Sequence, residues 1–325
     1  MIPLDAIRTA AARIAGRAHR TALLSCGQLA DRAGAARLFL KCETFQKTGS
    51  FKARGALHKI LSLTDAERER GLVTVSAGNH AAAVAWAARE AGAAAAVVMP
   101  EDAPRSKVAA VRGYGAEIVF HADRPTLFDR LHQVRDERGL TFVHPFDDPV
   151  VVAGAGTAGL EIAEDFPEVD LVVVPVGGGG LLSGVASAIK AARPRARVVA
   201  VELEAGPGLG PALAAGKPVP VPRPPTIADG MTPPFVGALA VEIAREAVDA
   251  IVTVTEEEIL EGMCWLATRA KLYVEGSGAA ATGALLAGKV PGARGAHAVA
   301  LVSGGNVDPE KFAVAAASPR APESS

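Results

Sequence analysis

Leu171-Val172-Val173-Val174-Pro175-Val176 runs straight into Gly177-Gly178-Gly179-Gly180, and then into the Ala-rich stretch Leu181 to Ala192. A short continuous apolar run reads as a strand buried on both faces, as in a parallel sheet covered by helices. Glycines at its end let main-chain N–H groups approach an anion closely, and the following helix turns its positive end to the same place. No Lys or Arg adjoins the run, so a phosphate here would be held by backbone donors. Two other readings stay open. A dinucleotide fold would set Glu202, at the end of the next strand, on a ribose. Its spacing G-x-G-x-x-G/A fails, because Gly178, Gly180 and Ser183 fill the three places. A plain tight turn would bind nothing.

Outward from this unit the same alternation continues. Short β-branched runs at Leu38–Lys41, Leu72–Ser76, Ala94–Met99, Glu117–His121, Thr141–His144, Arg197–Glu202, Ala250–Val254 and Ala298–Val302 are separated by Ala-rich segments of helical length. The pattern predicts an α/β protein with mostly parallel sheets covered by helices. The strands are too many for one small sheet, so two lobes are expected. Residues 1–66 with 148–325 form a large domain, and 67–147 a small mobile one. Pro207 to Pro234 reads as a long irregular loop, and the tail beyond Lys311 as frayed.

Composition narrows the function. The 325 residues suffice for two lobes and a sizeable core. Net charge is −1 and pI about 6.7, with no long basic run, which argues against nucleic acid and anionic membrane as partners. No apolar run approaches the roughly 18 residues of a membrane helix, and the N-terminus does not read as a secretory signal. Cys26, Cys42 and Cys264 are odd in number and scattered, matching neither a disulfide framework nor a metal site. No metal is expected, and a reducing cytoplasm is.

Three further segments carry chemistry. In Lys47-Thr48-Gly49-Ser50-Phe51-Lys52, the Thr-Gly-Ser triplet is expected to end a strand and cap a helix over Phe51 to Leu61. Lys52 then lies at the positive end of that helix. In an apolar pocket such a position disfavours the ammonium, leaving an amine that can attack an aldehyde and later act as a base. Ser76-Ala77-Gly78-Asn79-His80 sits at another strand-to-helix junction. Its N–H groups suit a substrate carboxylate, and the Asn79 amide a phenolate oxygen; an ordinary helix cap is the alternative. Ser303, in Val302-Ser303-Gly304-Gly305-Asn306, offers a hydroxyl to a pyridine nitrogen without forcing that nitrogen to stay protonated. An amine, a polar loop and a phosphate cradle together point to pyridoxal 5'-phosphate.

The set resembles the threonine/serine dehydratase and serine racemase family of fold-type II, tryptophan synthase β-like, pyridoxal phosphate enzymes. The resemblance spans Leu38 to Asn306. It adds His144-Pro145-Phe146-Asp147-Asp148, Ile227-Ala228-Asp229-Gly230 and Glu275-Gly276-Ser277-Gly278 to the motifs above. It implies that Lys52 is the Schiff-base lysine and that Phe51 packs beside the ring. Asn79 then contacts the phenolate, Gly177, Gly178, Gly179, Gly180 and Leu181 hold the phosphate, Ser303 meets the ring nitrogen, and Glu275 lies near the cofactor. Ser76, Ala77 and His80 would bind substrate. The implied reaction is β-elimination of the hydroxyl of L-threonine or L-serine by a homodimer, followed by hydrolysis to 2-oxobutanoate or pyruvate and ammonia. Alternatives are a lyase for another β-hydroxy amino acid such as 3-hydroxyaspartate, a serine racemase, and a cofactor-binding protein without turnover.

Departures from the family pattern sharpen this. Racemases carry serine before Gly-Asn-His; Ala77 has no proton to give, which favours the dehydratase. Racemase-like members bind a divalent ion through an acid at Glu202 and a second six residues on, where this chain has Gly208. Ala155 stands where such dehydratases often have glutamine. The chain ends soon after Asn306, so no isoleucine-type feedback site is expected. Arg54, Arg105 and Arg124 are candidates for reading a second substrate carboxylate.

Overall fold

The computed structural model describes residues 1–317. Its strands are β1 (Leu23–Ser25), β2 (Arg37–Cys42), β3 (Leu72–Val75), β4 (Ala95–Pro100), β5 (Glu117–His121), β6 (Thr141–Phe142), β7 (Leu171–Pro175), β8 (Arg197–Leu203), β9 (Ala250–Val254) and β10 (His297–Val302). They form a six-stranded sheet, order β1-β2-β10-β7-β8-β9, and a four-stranded sheet, order β5-β4-β3-β6. Every pairing is parallel except β1 with β2. This is the expected α/β class. The apolar run of β7 is buried along its whole length, as a central strand covered on both faces must be.

Two elements differ from the sequence reading. Leu23–Ser25 adds an antiparallel edge strand, too short to show a pattern. The stretch Pro207 to Pro234 is not wholly irregular. Leu209–Ala215 is a helix with Leu209 and Ala212 buried, and Glu202 accounts for its position. The Glu202 carboxylate accepts from the N–H groups of Gly208 (2.7 Å), Leu209 (2.5 Å) and Gly210 (3.0 Å), satisfying donors at the helix start. The acid read as a ribose or metal ligand is thus a helix cap. A helix, Pro309–Ala317, continues past Lys311, where the sequence reads as frayed; the rest of the tail lies outside the described residues.

Three helices set the geometry of the site: Lys52–Ser62, Pro149–Asp165 and Gly180–Ala192. They cross through glycines. A β-carbon on Gly154 would fall 2.7 Å from Gly55 Cα, and one on Gly184 would fall 2.5 Å from Gly156 N. Backbones therefore touch where side chains usually intervene, and the Lys52 helix is held against rigid neighbours. That helix also shares an apolar core with the four-stranded sheet through Ala53, Leu57 and Ile60.

Candidate active site at the meeting of the lobes

Local structure around Lys52 departs from the expected cap. No strand leads into it; two 3₁₀ turns do, with Thr48 at φ 59° and Gly49 at φ 71°. The helix starts at Lys52, with no side chain capping it, and the Ser50 hydroxyl is buried without a partner. Lys52 Nζ donates to the Pro145 carbonyl at 2.7 Å. The residue keeps some exposed surface, but protein encloses its amine, and burial lowers its pKa to about 8. Phe51 lies beside it, with Nζ 5.1 Å from the ring centre.

The glycine run faces this amine across the Pro145-Phe146 turn. A β-carbon on Gly178 would fall 2.3 Å from the Phe146 ring, and one on Gly177 2.3 Å from the Gly230 carbonyl oxygen. Gly179 adopts φ 88° against Ala240, so only glycine serves there. Among the described residues, the N–H groups of Gly177, Gly178 and Gly179 have no acceptor. Gly180 and Leu181 open the helix behind them, and the Ser183 hydroxyl there is buried without a partner.

The remaining predicted residues line the other side. The Phe51 N–H donates to the Ser303 carbonyl at 3.1 Å, which ties the lysine segment to the end of β10. Ser303 Oγ is buried and makes only a long contact, 3.4 Å, to the Ser277 carbonyl. Asn79 Nδ2 donates to Glu275 Oε1 at 2.6 Å, and its Oδ1 accepts from Asn306 Nδ2 at 2.9 Å. Burial raises Glu275 to about 7; Asp229 pushes the same way, against Lys107 and the Asn79 bond. Ser76 Oγ does not cap the helix Asn79–Glu90 but accepts from the Gly78 N–H, folding the loop on itself. Ala77 follows it. His80 is buried, and burial holds its imidazole well below the ordinary value, so it is neutral at pH 7. Its Nε2 lies 3.3 Å from the Val143 carbonyl, away from any carboxylate.

A cavity of about 410 Å³ opens beside Thr48, Gly49, Gly78, Asn79, Ser106 and Lys107. Lys107 reaches from the four-stranded lobe to Asp229 at 2.8 Å, and Ser106 bonds Asp308. Sequence reasoning missed these ties, and quoted Pro145 and Phe146 within a motif without giving either a role, because no single residue type announces an interlobe contact.

Two of the three arginines offered for a second carboxylate, Arg54 and Arg124, are otherwise engaged; Arg105 is exposed at the start of the helix Arg105–Gly113. Arg54 is 1% exposed and is bound by Glu43 (2.8 Å), Glu161 (2.6 Å), Thr157 and Thr21. Lys41 completes the cluster with a 2.6 Å bond to Glu161. Arg124 pairs with Asp102 at the surface.

These residues fit pyridoxal phosphate. They offer an amine of lowered pKa, a loop of unengaged N–H groups without side chains, and a hydroxyl free to meet a ring nitrogen. Since the neutral amine attacks the aldehyde, loading of cofactor-free protein should speed up as pH rises through about 8, then level off. Rapid-mixing absorbance would read this; a midpoint left near 10.5 would contradict the enclosed amine.

Such a site on two parallel-sheet lobes defines a fold-type II enzyme. A family model described as "Pyridoxal-phosphate dependent enzyme" matches residues 14–304, and the chain belongs to that family. More particularly, the L-threonine ammonia-lyase of Thermotoga maritima is 43% identical over 312 residues, spanning 95% of this chain and 76% of that protein. The catabolic L-threonine dehydratase of Escherichia coli K12 is 43% identical over 309 residues, 94% of each chain. Among solved structures, maize serine racemase superposes with TM-score 0.90 at 39% identity, covering 96% of this chain and 95% of that one. The T.th. threonine deaminase does so with TM-score 0.87 at 44%, covering 94% and 98%. The chain is a pyridoxal-phosphate enzyme of the threonine/serine dehydratase and serine racemase group.

Proposed function

We propose that this protein is an ammonia-lyase that eliminates water from L-threonine, and from L-serine, and releases an enamine whose hydrolysis gives ammonia and 2-oxobutanoate or pyruvate. The observation that carries the proposal is the enclosed Lys52 amine, set across one turn from a backbone phosphate cradle. The threonine ammonia-lyase and dehydratase relatives support the substrate.

Bound pyridoxal phosphate would supply an aldehyde for amino groups and a ring that accepts the electrons left by a departing α-proton. Gly177 to Leu181 would hold its phosphate, Ser303 would meet its nitrogen, the Asn79 amide its phenolate oxygen, and Phe51 would pack beside it. The loop N–H groups of Ala77, Asn79 and His80, which have no acceptor among the described residues, would hold the substrate carboxylate. The Lys52 Nζ amine, neutral at its lowered pKa, would serve as the base for the α-proton. It then returns that proton to the β-hydroxyl, which leaves as water. The released enamine hydrolyses to the oxo acid and ammonia. Glu275 fixes the Asn79 amide through its 2.6 Å bond. Residues 67–147 act as a small domain that closes over substrate, and Lys107–Asp229 supports the closed arrangement. A homodimer in the cytoplasm completes the proposal; free Cys26, Cys42 and Cys264 fit a reducing compartment. No helix among the described residues is long and apolar enough to cross a membrane.

The racemase reading is favoured by the maize structure and opposed by Ala77, which has no hydroxyl to serve the second face of the α-carbon. Incubation with L-threonine, L-serine and L-threo-3-hydroxyaspartate decides. Fastest 2-oxobutanoate formation is expected from threonine. Oxaloacetate alone would assign the hydroxyaspartate lyase, and D-serine without oxo acid the racemase.

A further inference from the structure

The turn His144-Pro145-Phe146-Asp147-Asp148 does more than present a carbonyl to Lys52. His144 Nδ1 accepts from the N–H groups of Phe146 (3.2 Å) and Asp147 (2.8 Å), which curls the turn. Asp148 caps the helix Pro149–Asp165 through Val150 N at 2.7 Å and pairs with Lys59, also at 2.7 Å. Asp147 points the other way. Its oxygens accept from Ala238 N and Leu239 N, each at 3.0 Å, the first two residues of the helix Ala238–Ala247. Its carboxylate is also packed against Gly237, where a β-carbon would fall 2.6 Å from Oδ1.

That helix backs the glycine cradle. The Gly237 N–H donates to the Gly178 carbonyl at 3.1 Å. Ala240, in its first turn, sits against Gly179, the glycine held at φ 88°. One turn thus touches both ends of the site. Pro145 receives the lysine amine and Phe146 lies across Gly178, while Asp147 fixes the helix that shapes Gly178 and Gly179.

We propose that Asp147 is a positioning residue for the cofactor phosphate: it anchors the 238–247 helix so that the glycine loop keeps its shape at a fixed distance from Lys52. The proposal rests on the reading that Gly177 to Leu181 hold the phosphate. Asp147 touches neither phosphate nor substrate and acts through the helix and the loop. The sign of its effect separates this role from simple electrostatics. An anion near the cradle repels phosphate, so electrostatics alone predicts tighter phosphate binding when the carboxylate is removed. Positioning predicts weaker binding.

The test is equilibrium titration of cofactor-free protein with pyridoxal phosphate and with pyridoxal, which carries the same aldehyde and no phosphate. Asp147→Ala removes two charge-assisted bonds at a helix start and should weaken pyridoxal phosphate by about tenfold. Pyridoxal affinity should be unchanged. Asp147→Asn keeps one acceptor oxygen and should recover part of the loss; it carries the test if the alanine variant does not fold. Unchanged or tighter pyridoxal phosphate binding would overturn the proposal. So would an equal loss for both ligands, the mark of general loosening. If the wild-type protein itself shows no preference for the phosphorylated ligand, the phosphate reading of the glycine loop falls, and this role with it.

Discussion

Replacing Lys52 by alanine is expected to remove the visible absorbance of the lysine-linked cofactor and to lower 2-oxobutanoate formation by about 10⁴-fold. One side chain is assigned both the cofactor linkage and the proton transfer, and no neighbour can substitute. His80 is buried and held neutral by its surroundings, with its Nε2 turned to the Val143 carbonyl. His144 spends Nδ1 on two backbone amides, and burial depresses it to about 4, partly offset by Asp147. Cofactor should still bind the variant through the glycine loop, without covalent linkage, so phosphate-dependent affinity survives while the absorbance does not. Retention of the linked absorbance in Lys52→Ala would remove Lys52 from its assigned role.

Arg54→Ala should have the largest effect on stability, about 3–5 kcal/mol. It would leave the carboxylates of Glu43 and Glu161, 0% and 8% exposed, without their main partner. Replacing Lys41, Glu43, Arg54 and Glu161 together by apolar residues of similar volume should cost far less, because no uncompensated charge then remains buried. Chemical denaturation of both variants is the measurement; equal losses would refute a charge-pairing origin. The cluster also predicts acid sensitivity. Burial alone would raise Glu43, but the Arg54 guanidinium overrides it and lowers the carboxylate below its usual 4.5. A depressed acid contributes stability above its unfolded pKa and loses it as pH falls through the folded one. This contribution is therefore full above about 4.5 and disappears on further acidification.

What the sequence disclosed follows from which demands are local. The Leu171–Gly180 run is legible because a covered central strand needs unbroken apolar residues, and a close-approaching loop needs glycine. Lys52 is legible through its neighbours. Arg54, two residues on, is not: its partners Glu43, Thr157 and Glu161 lie up to 107 positions away, and only folding assembles them. Pro145 is illegible for another reason. Its contribution is a carbonyl oxygen that any residue would carry. The helix Leu209–Ala215 hid among prolines and glycines because the side chain that caps it, Glu202, sits at the end of the preceding strand. The polar loop at Asn79 read correctly as a strand-to-helix junction, but not the Asn79–Glu275 bond, which spans 196 positions.

The crossings of the Lys52 helix on the 149–165 helix at Gly55 and Gly154, and of that helix on the 180–192 helix at Gly156 and Gly184, have a consequence for how the protein tolerates change. Main chain rests on main chain there, so the aim of the amine owes little to which side chains fill the surrounding core. Leucines, valines and alanines can be exchanged elsewhere over many generations, or by a protein engineer, while the catalytic register persists. The four glycines have no such latitude. A single methyl group at any of them acts as a wedge, and its effect would appear first as a misdirected nucleophile in a protein that is still folded.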